Sequence, residues 1–187
     1  MTTIETRRIV SSDGAPPLEM RAVFSEFPVG ATYRYALERR WDHMRPYLVM
    51  VMLNPSTADA VRDDPTIRRC VGFAKKARAG GLLVLNLFAY RATDPRELRE
   101  AADPVGPEND EIIKRHLDGM SLYEGTKVVA AWGRWGARMG RDKAVLKIIQ
   151  DAGFWPYCLG MTANGQPRHP LFVPAATKMT AFLGGAE

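Results

Sequence analysis

Residues Tyr47–Asp59, YLVMVMLNPSTAD, determine the fold that we predict for this chain. They begin with an apolar run at 48–53 and then change abruptly to the turn sequence Asn54-Pro55. An apolar run of this length that stops at turn residues is typical of a strand buried on both faces, as in a parallel sheet. Pro55 holds the backbone of Asn54 in the extended region and so fixes the Asn54 side chain at the strand end. Taken alone, the Asn-Pro pair is more simply explained as a strand terminator.

Composition limits the class of protein. Of the 187 residues 46% are hydrophobic and 25% are charged, which suits one compact domain and does not indicate disorder. A net charge of +5 permits an anionic partner such as nucleic acid or a nucleotide without requiring one. Two cysteines and three histidines argue against a disulfide framework and against a dedicated metal site. We therefore expect no metal or other cofactor.

Nothing in the sequence predicts export or membrane insertion. Residues 1–13 are polar, unlike a signal peptide, and no apolar run approaches the roughly 18 residues that a membrane span needs. We expect a cytoplasmic protein that does not bind membranes.

The N-terminal part is expected to flank the main fold. We predict a loose leader at 1–17 and an antiparallel hairpin within 18–45. The hairpin strands are Met20–Phe24 and Tyr33–Trp41, and Pro28-Val29-Gly30 supplies the turn between them.

Residues 46–187 alternate between apolar runs and amphipathic segments, which is typical of an α/β fold. Asp64 as N-cap and Pro65 at the first helical position predict a helix that ends near Gly80. Further strands are predicted at 82–88, 127–133 and 155–159, and further helices at 95–101, 109–120, 142–152 and 177–183. We predict a three-layer α/β/α domain around a mostly parallel four-stranded sheet.

Polar or aromatic residues follow the predicted strands. Asn54, Asn86 and Trp132 lie at the ends of the first three, and His169 lies in the loop after the fourth. Because the carboxyl ends of parallel strands share one edge of a sheet, these residues should meet in one cleft. An amide such as Asn86 is costly to bury without a partner, which would be the backbone or a ligand.

Loop residues near the same edge extend the candidate site. Arg91 and Arg168 are the better candidates among the arginines for contacts with phosphate, because they lie in loops at the predicted edge. Tyr90 and Trp132 could stack on a base, although packing in the core is the commoner role of such aromatic residues.

Two families resemble this sequence. From Tyr33 onward it resembles a widespread bacterial and phage domain family of unknown function, on the stretches MLNPSTAD, DDPTIRRC, LNLFAYRATDP, DPVGPEND and PRHPLFV. More distantly, the order of segments is similar to the uracil-DNA glycosylase superfamily. Its strand and loop motifs correspond to Leu53–Ser56, Leu83–Asn86, Val128–Gly133 and His169–Leu171.

The second resemblance implies a role for each matched residue. Asn54 would orient a water or the sugar–base bond, with Ser56 beside it in the substrate site. Asn86 would hydrogen-bond the edge of a base, for which an amide offers both a donor and an acceptor. His169 would stabilise the charge that builds on the departing base. Leu171 replaces the serine of the last motif, and Asn54 stands where the most active branch has aspartate.

We therefore expect a nucleobase-handling protein of uracil-DNA-glycosylase-like fold that hydrolyses an N-glycosidic bond of a modified or mismatched base, with nucleic acid or a nucleotide as partner. Two alternatives stay open. One is a binding module that keeps the cleft without hydrolysis. The other is a metal-dependent nucleotide or phosphoester enzyme that uses the acidic loop Asp59–Asp64.

Overall fold

The computed structural model describes residues 2–9, 18–25, 32–60 and 62–184. Over these ranges the chain forms one eight-stranded sheet and four α-helices. The strands are β1 (Thr2–Ile9), β2 (Leu18–Ser25), β3 (Arg34–Arg40), β4 (Tyr47–Met52), β5 (Gly81–Asn86), β6 (Lys127–Ala130), β7 (Tyr157–Cys158) and β8 (Thr180–Ala181). The helices are α1 (Pro65–Lys76), α2 (Pro95–Glu100), α3 (Asn109–Met120) and α4 (Arg141–Asp151).

The sheet is mixed, in the order β1-β2-β3-β5-β4-β6-β7-β8. The pairs β1–β2, β2–β3, β3–β5 and β7–β8 are antiparallel, whereas β5–β4, β4–β6 and β6–β7 are parallel. The α/β class is confirmed, but the prediction of a mostly parallel four-stranded sheet is wrong. The N-terminal hairpin does not sit beside the sheet: it joins it through β3, which pairs with β5.

The quoted apolar run as far as Met52 lies in β4, at the centre of the sheet, and every residue of this strand is buried. On one face Leu48 and Met50 pack in a cluster with residues of α1. On the other face Val49 and Val51 pack in a second cluster with residues of α3 and α4. Helices therefore cover both faces of β4, which explains why its side chains do not alternate between apolar and polar.

Helix α1 begins as its sequence predicts. The Asp64 side chain accepts a hydrogen bond from the Ile67 backbone N–H at 2.8 Å, and Pro65 occupies the first turn. Ile67, Cys70 and Phe73 are buried against the sheet. The helix thus packs its apolar face on β4 and holds its N-terminus at the carboxyl end of that strand.

Strand β3 contains a β-bulge. Consecutive residues of β2, Val23 and Phe24, pair with Ala36 and Arg34 of β3, so that Tyr35 is an extra residue in the ladder. Residues five apart in a regular strand lie on opposite faces. Here Arg34 and Arg39 both reach the loop between β4 and α1: Arg34 Nη1 donates to the carbonyl of Ala58, and Arg39 Nη2 to that of Asp59. The bulge therefore turns Arg34 to the α1 side of the sheet.

The two ends of the chain differ from the prediction. Residues 2–9, expected in a loose leader, form β1 and pair with β2 along its whole length, because β2 offers a free edge. The predicted helix at 177–183 is wrong: Thr180 pairs with Cys158 as part of β8, and Phe182 packs edge-on against Trp132. The rest of the predicted leader and the Pro28–Gly30 turn lie outside the described residues. Within those residues, no helix has the length and apolar character needed to cross a membrane.

Candidate functional site

A cleft of about 1000 Å³ opens at the carboxyl ends of β4, β5 and β6. The N-terminus of α1 forms one wall, and the loop that contains His169 forms another. The parallel strands bring six of the eight predicted site residues to this cleft, because their carboxyl ends meet at the same edge. The six are Asn54, Ser56, Asn86, Trp132, Arg168 and His169.

Asn54 is fixed in one orientation. Its Nδ2 donates to the backbone carbonyls of Pro55 at 3.0 Å and Ala92 at 2.8 Å. Both amide hydrogens are thereby used, and none of the described residues donates to Oδ1. Asn54 therefore presents a hydrogen-bond acceptor at the end of β4.

Asn86 is buried in the cleft with an unused donor. Asn86 is 1% exposed, and its Nδ2 has no hydrogen-bond partner among the described residues. The backbone carbonyl of Asn86 is satisfied, since it accepts from Asn109 Nδ2 at 3.1 Å. A buried amide without an acceptor is costly, by about 1–3 kcal/mol. A ligand acceptor in the cleft would remove that cost.

His169 is a neutral hydrogen-bond donor. Burial lowers the pKa of His169 to about 4, an effect that the carboxylate of Asp64 opposes only in part. Its Nδ1 accepts from the Leu171 backbone N–H at 3.3 Å. Because a neutral imidazole carries one proton, that proton lies on Nε2. The ring lines the cleft and can donate a hydrogen bond at neutral pH.

Trp132 forms a packed wall of the cleft. It is 2% exposed, its ring packs edge-on against Phe182 at 5.7 Å, and its Nε1 donates to Gln166 Oε1 at 2.6 Å. A Cβ at Gly136 would lie 1.9 Å from Trp132 Cδ1, so only glycine fits there. Trp132 contributes shape to the cleft, and at 2% exposure its ring is held by packing.

Ser56 and Arg168 lie at the edges of the cleft. Ser56 is half-buried, and Arg168 is exposed. Arg168 Nε donates to the Met161 carbonyl at 2.9 Å, which anchors the side chain. The other two nitrogens of this guanidinium have no partner among the described residues. They remain available to an anionic ligand.

Tyr90 and Arg91 do not line the cleft. The Tyr90 ring packs edge-on against Tyr33 at 6.2 Å, and the Arg91 guanidinium lies 5.5 Å from the ring of Phe24. Both face the N-terminal hairpin. The cleft as described thus offers neither of them to a ligand.

Arg34 is a cleft residue that the sequence did not indicate. It is 2% exposed, its Nη1 donates to the Ala58 carbonyl, and its Nε has no partner among the described residues. Burial lowers the pKa of Arg34 to about 9, so it stays charged at neutral pH. The position of the Arg34 side chain depends on the bulge at Tyr35, and the sequence pattern of the strand does not predict that bulge.

The charge of the cleft is positive. Its described lining includes three arginines, namely Arg34, Arg134 and Arg168, and one carboxylate, Asp64. No cluster of three or more His, Cys, Asp or Glu side chains that could hold a metal ion occurs within 2–9, 18–25, 32–60 and 62–184. In the acidic loop Asp63 pairs with Arg39 at 2.8 Å. The electrostatics thus favour an anionic organic ligand.

A smaller cavity of about 380 Å³ adjoins the cleft and shares Leu53, Arg134 and Trp135 with it. Trp135 is 40% exposed, and the guanidiniums of Arg134 and Arg99 lie 4.7 Å and 5.0 Å from its ring. This exposed aromatic residue with two cations extends the positive surface beyond the cleft.

Comparison with solved structures finds a weak similarity to hetero-hexameric glutamate dehydrogenase from Thermus thermophilus in its leucine-bound form. The sequences are 13% identical, the TM-score is 0.34, and the match covers 81% of this chain and 30% of that chain. This chain therefore spans less than a third of that protein's length, and at such a TM-score the similarity carries no argument. No curated protein matches the chain.

A family profile described as "Protein of unknown function" matches residues 34–171. This range contains every predicted site residue as well as Arg34, and it covers well over half of the 187 residues. The expected membership of a domain family of unknown function is confirmed. The chain belongs to the DUF1643 family.

Proposed function

We propose that the cleft binds a nucleobase with its attached sugar and hydrolyses the N-glycosidic bond between them. The observation that carries this proposal is Asn86, whose buried Nδ2 lacks an acceptor in a cleft that opens at its own strand end. The carbonyl oxygens of a pyrimidine are suitable acceptors, and the amide oxygen of Asn86 can accept from a ring N–H.

His169 supports a role in bond cleavage. When the bond between C1′ and the base nitrogen breaks, its electron pair goes to the base, and the charge spreads to the base oxygens. A neutral imidazole that donates from Nε2 can stabilise this charge in a site shielded from water. The low pKa of His169 keeps the imidazole neutral at physiological pH, so its contribution is a hydrogen bond rather than a full positive charge.

Asn54 supports the approach of water. Its Oδ1 is held as an acceptor and can orient a water molecule toward C1′. The water oxygen bonds to C1′, and the proton that it releases ends on the departing base. Asp64, the carboxylate in the described lining of the cleft, can relay that proton. No bound metal or cofactor is required for this balance of atoms.

The proposal includes a uracil-DNA-glycosylase-like arrangement of the parallel strands. What supports it is position: Asn54 follows β4, Asn86 ends β5, Trp132 follows β6, and all three line one cleft with His169. For a base within duplex DNA, access would require extrusion of the nucleotide from the stack.

A binding module without hydrolysis is the second candidate. One observation favours it: Asn54 donates both amide hydrogens to backbone carbonyls, so its presence is also explained by the structure of the loop. A carboxylate base does not occupy that position. The metal-dependent alternative has less support, because Asp63 is paired with Arg39 and Asp64 caps α1.

Base release from defined oligonucleotides tests the proposal. The purified protein would be incubated, with EDTA and separately with magnesium, with single- and double-stranded oligonucleotides that carry uracil, hypoxanthine, thymine mismatches or hydroxymethylated pyrimidines. Abasic sites would be detected by alkali cleavage. Asn54→Ala and His169→Ala would be compared with His43→Ala, a control at a side chain that is 62% exposed.

Base release in EDTA that both cleft variants lose and the control keeps is the expected result. Tight, salt-dependent binding without release would instead identify a binding module. Activity that appears only with magnesium would replace the proposal with the metal-dependent alternative.

A further inference from the structure

We infer that Arg34 and the first turn of α1 form a phosphate-binding subsite in the cleft, so that the ligand carries a phosphate as well as a base. This inference rests on the proposed function for the base, and it adds the substrate class: a nucleotide rather than a free base or nucleoside.

Arg34 is a buried cation at the cleft. A buried guanidinium normally pairs with a carboxylate, since an unpaired charge is costly to bury. None of the described carboxylates lies within 4.0 Å of Arg34, and only Nη1 has a described hydrogen-bond partner, the Ala58 carbonyl. The remaining donors of Arg34 therefore face the cleft or the protein without an acceptor. An anion in the cleft would accept hydrogen bonds from the donors that face it.

Arg39 is a buried arginine of the same strand that does not line the cleft, and it has a carboxylate partner within the fold. Its residue is 1% exposed, and all three guanidinium nitrogens have partners: Nε meets Asp63 at 2.9 Å, and Nη1 and Nη2 donate to backbone carbonyls. A missing carboxylate does not by itself mark a ligand site, because Arg40 is also buried, has no described carboxylate partner, and packs its guanidinium 4.0 Å over the Tyr47 ring. Arg34 differs from both arginines because it lines the cleft.

The N-terminus of α1 supplies further donors at the cleft. This helix has 12 residues, and its first turn lines the cleft at Pro65, Thr66 and Ile67. Backbone N–H groups and the helix dipole at such a terminus favour anions. The Ile67 N–H is taken by Asp64, whose carboxylate also offsets part of the positive charge. The Thr66 N–H and hydroxyl have no partner among the described residues and remain available.

The cleft is large enough for a ligand with two separate groups. Small-molecule sites span about 300–1000 Å³, and the volume of this cleft lies at the upper end of that range. A base held by Asn86 would leave room between itself and the wall formed by α1. The arrangement fits a compound with a base at one end and a phosphate at the other.

Inorganic phosphate is the probe for the subsite. Its binding to the wild-type protein would be measured by calorimetry at constant ionic strength against chloride, and by NMR shifts of the Thr66 and Ile67 amides. Saturable binding with shifts at these amides is expected. Arg34→Lys should weaken it about tenfold or more, because lysine cannot form the two parallel hydrogen bonds of a guanidinium.

Arg39→Lys is the matched control, because Arg39 is a buried arginine of the same strand that does not line the cleft. This variant should bind phosphate as tightly as the wild-type protein does. Phosphate that fails to bind the wild type, or binds without moving the Thr66 and Ile67 amides, would overturn the inference. The amide shifts need no variant, so the test holds even if Arg34→Lys fails to fold.

Uridine, uridine 5′-monophosphate and a single-stranded uracil oligonucleotide distinguish the source of the phosphate. A gain for the monophosphate over uridine that Arg34→Lys removes would indicate a free nucleotide. A gain only for the oligonucleotide, also lost in Arg34→Lys, would indicate a strand backbone. Equal binding of uridine and both phosphorylated ligands would overturn the inference. Phosphate binding without base release would leave the subsite standing and reject the glycosidic reaction, so the two failures are separable.

Discussion

Two buried arginines at opposite ends of β3 differ in how completely the fold satisfies their hydrogen-bond donors. At one end Arg39 has a carboxylate partner, Asp63, and acceptors for all three of its nitrogens. At the other end Arg34 is equally buried, has one described hydrogen bond, and lines the cleft. Both side chains hold the same loop between β4 and α1. The guanidinium of Arg39 is fully hydrogen-bonded in the fold, although the neighbouring Arg40 keeps two nitrogens without a described partner. Arg34 keeps unused donors at the cleft, which the proposed ligand would use.

Two asparagines repeat this contrast. Asn109 donates to the carbonyls of Asn86 and Leu87, both at 3.1 Å, and so ties α3 to the end of β5. Asn86 has an unused donor in the cleft. The contrast concerns the amide donors: those of Asn109 are used in the fold, although its Oδ1 has no described partner, whereas the Nδ2 of Asn86 is unused at the cleft. An unused buried donor at a functional site would be a cost in stability, as is common where stability and function compete.

The largest expected effect tests the framework end. In Asp63→Ala the charge of Arg39 would remain buried without its carboxylate, and removal of one partner of a buried ion pair typically costs about 3–5 kcal/mol. Because the side chain of Asp63 is 26% exposed, we expect about 3 kcal/mol, measured as the loss in the free energy of unfolding in urea. Asp118→Ala, at an exposed pair with Lys114, is the control and should change stability by less than about 0.5 kcal/mol. An equal, small loss in both variants would show that Arg39 is not held by its carboxylate.

His169→Ala tests the cleft end through activity. Loss of one donor to the developing charge should lower the rate of base release by about 10²-fold or more. The free energy of unfolding should change little, because the described hydrogen bond of this ring is to the neighbouring Leu171. Single-turnover rates and urea unfolding would be measured on the same preparations. A variant that loses stability but keeps its rate would place His169 in the framework instead.

The pH dependence of stability sharpens the contrast. The pKa of His169 is about 4 in the folded protein and about 6.5 in an unfolded chain. Between these pH values only the unfolded chain takes up the proton. The contribution of the neutral His169 to the free energy of unfolding is therefore complete above pH 6.5 and is lost as the pH falls toward 4. The loss should reach on the order of 2–3 kcal/mol.

Urea unfolding between pH 7 and pH 4 would measure this loss, which should be absent in His169→Gln. Burial also lowers the pKa of His116 in α3, so His116→Gln controls for a histidine outside the cleft. The same pH slope in His169→Gln and in the wild type would contradict the prediction.

The smallest expected effect compares the two asparagines. Asn86→Leu removes an unused buried donor and should leave stability within about 1 kcal/mol of the wild type, while binding of a base is lost. Asn109→Leu removes the Asn109 hydrogen bonds to the Asn86 and Leu87 carbonyls, of which the Leu87 carbonyl keeps its bond from Arg141, and should cost about 2 kcal/mol. Urea unfolding measures both. A greater loss for Asn86→Leu than for Asn109→Leu would mean that Asn86 serves the fold.

Periodicity predicted the elements that surround the cleft. The helix at 109–120 was predicted with the bounds that the structure shows, and the capping of α1 by Asp64 is confirmed. Such elements follow from local patterns of apolar residues and caps. The same reasoning brought six of eight candidates to one edge, because the order of parallel strands already implies which ends meet.

Local sequence patterns did not predict which distant segments pair in the sheet. Strand β1 lies where the polar sequence suggested a leader, and β8 is too short to show a period. Tyr90 and Arg91 follow β5 in sequence, but the backbone of Arg91 donates to the carbonyl of Thr32, which directs this segment toward the hairpin. The antiparallel pairing of β2 with β3 was predicted as a hairpin, but the antiparallel pairs β1–β2, β3–β5 and β7–β8 were missed because the sequences of these strands do not indicate their partners.

The extra residue in β3 also makes the position of Arg34 depend on the register of the strand. Tyr35 is fully buried and packs with Ala89 and Ile112, so its ring anchors the inserted residue. A one-residue slip that paired Tyr35 with Phe24 would remove the bulge, restore strict alternation and carry the Arg34 guanidinium to the other face, among the apolar side chains that pack with α3 and α4. Deletion of Tyr35, in contrast, would leave Arg34 opposite Phe24 and on its present face. The Tyr35 ring therefore holds a register without which a charge of the cleft lining would be enclosed in the core.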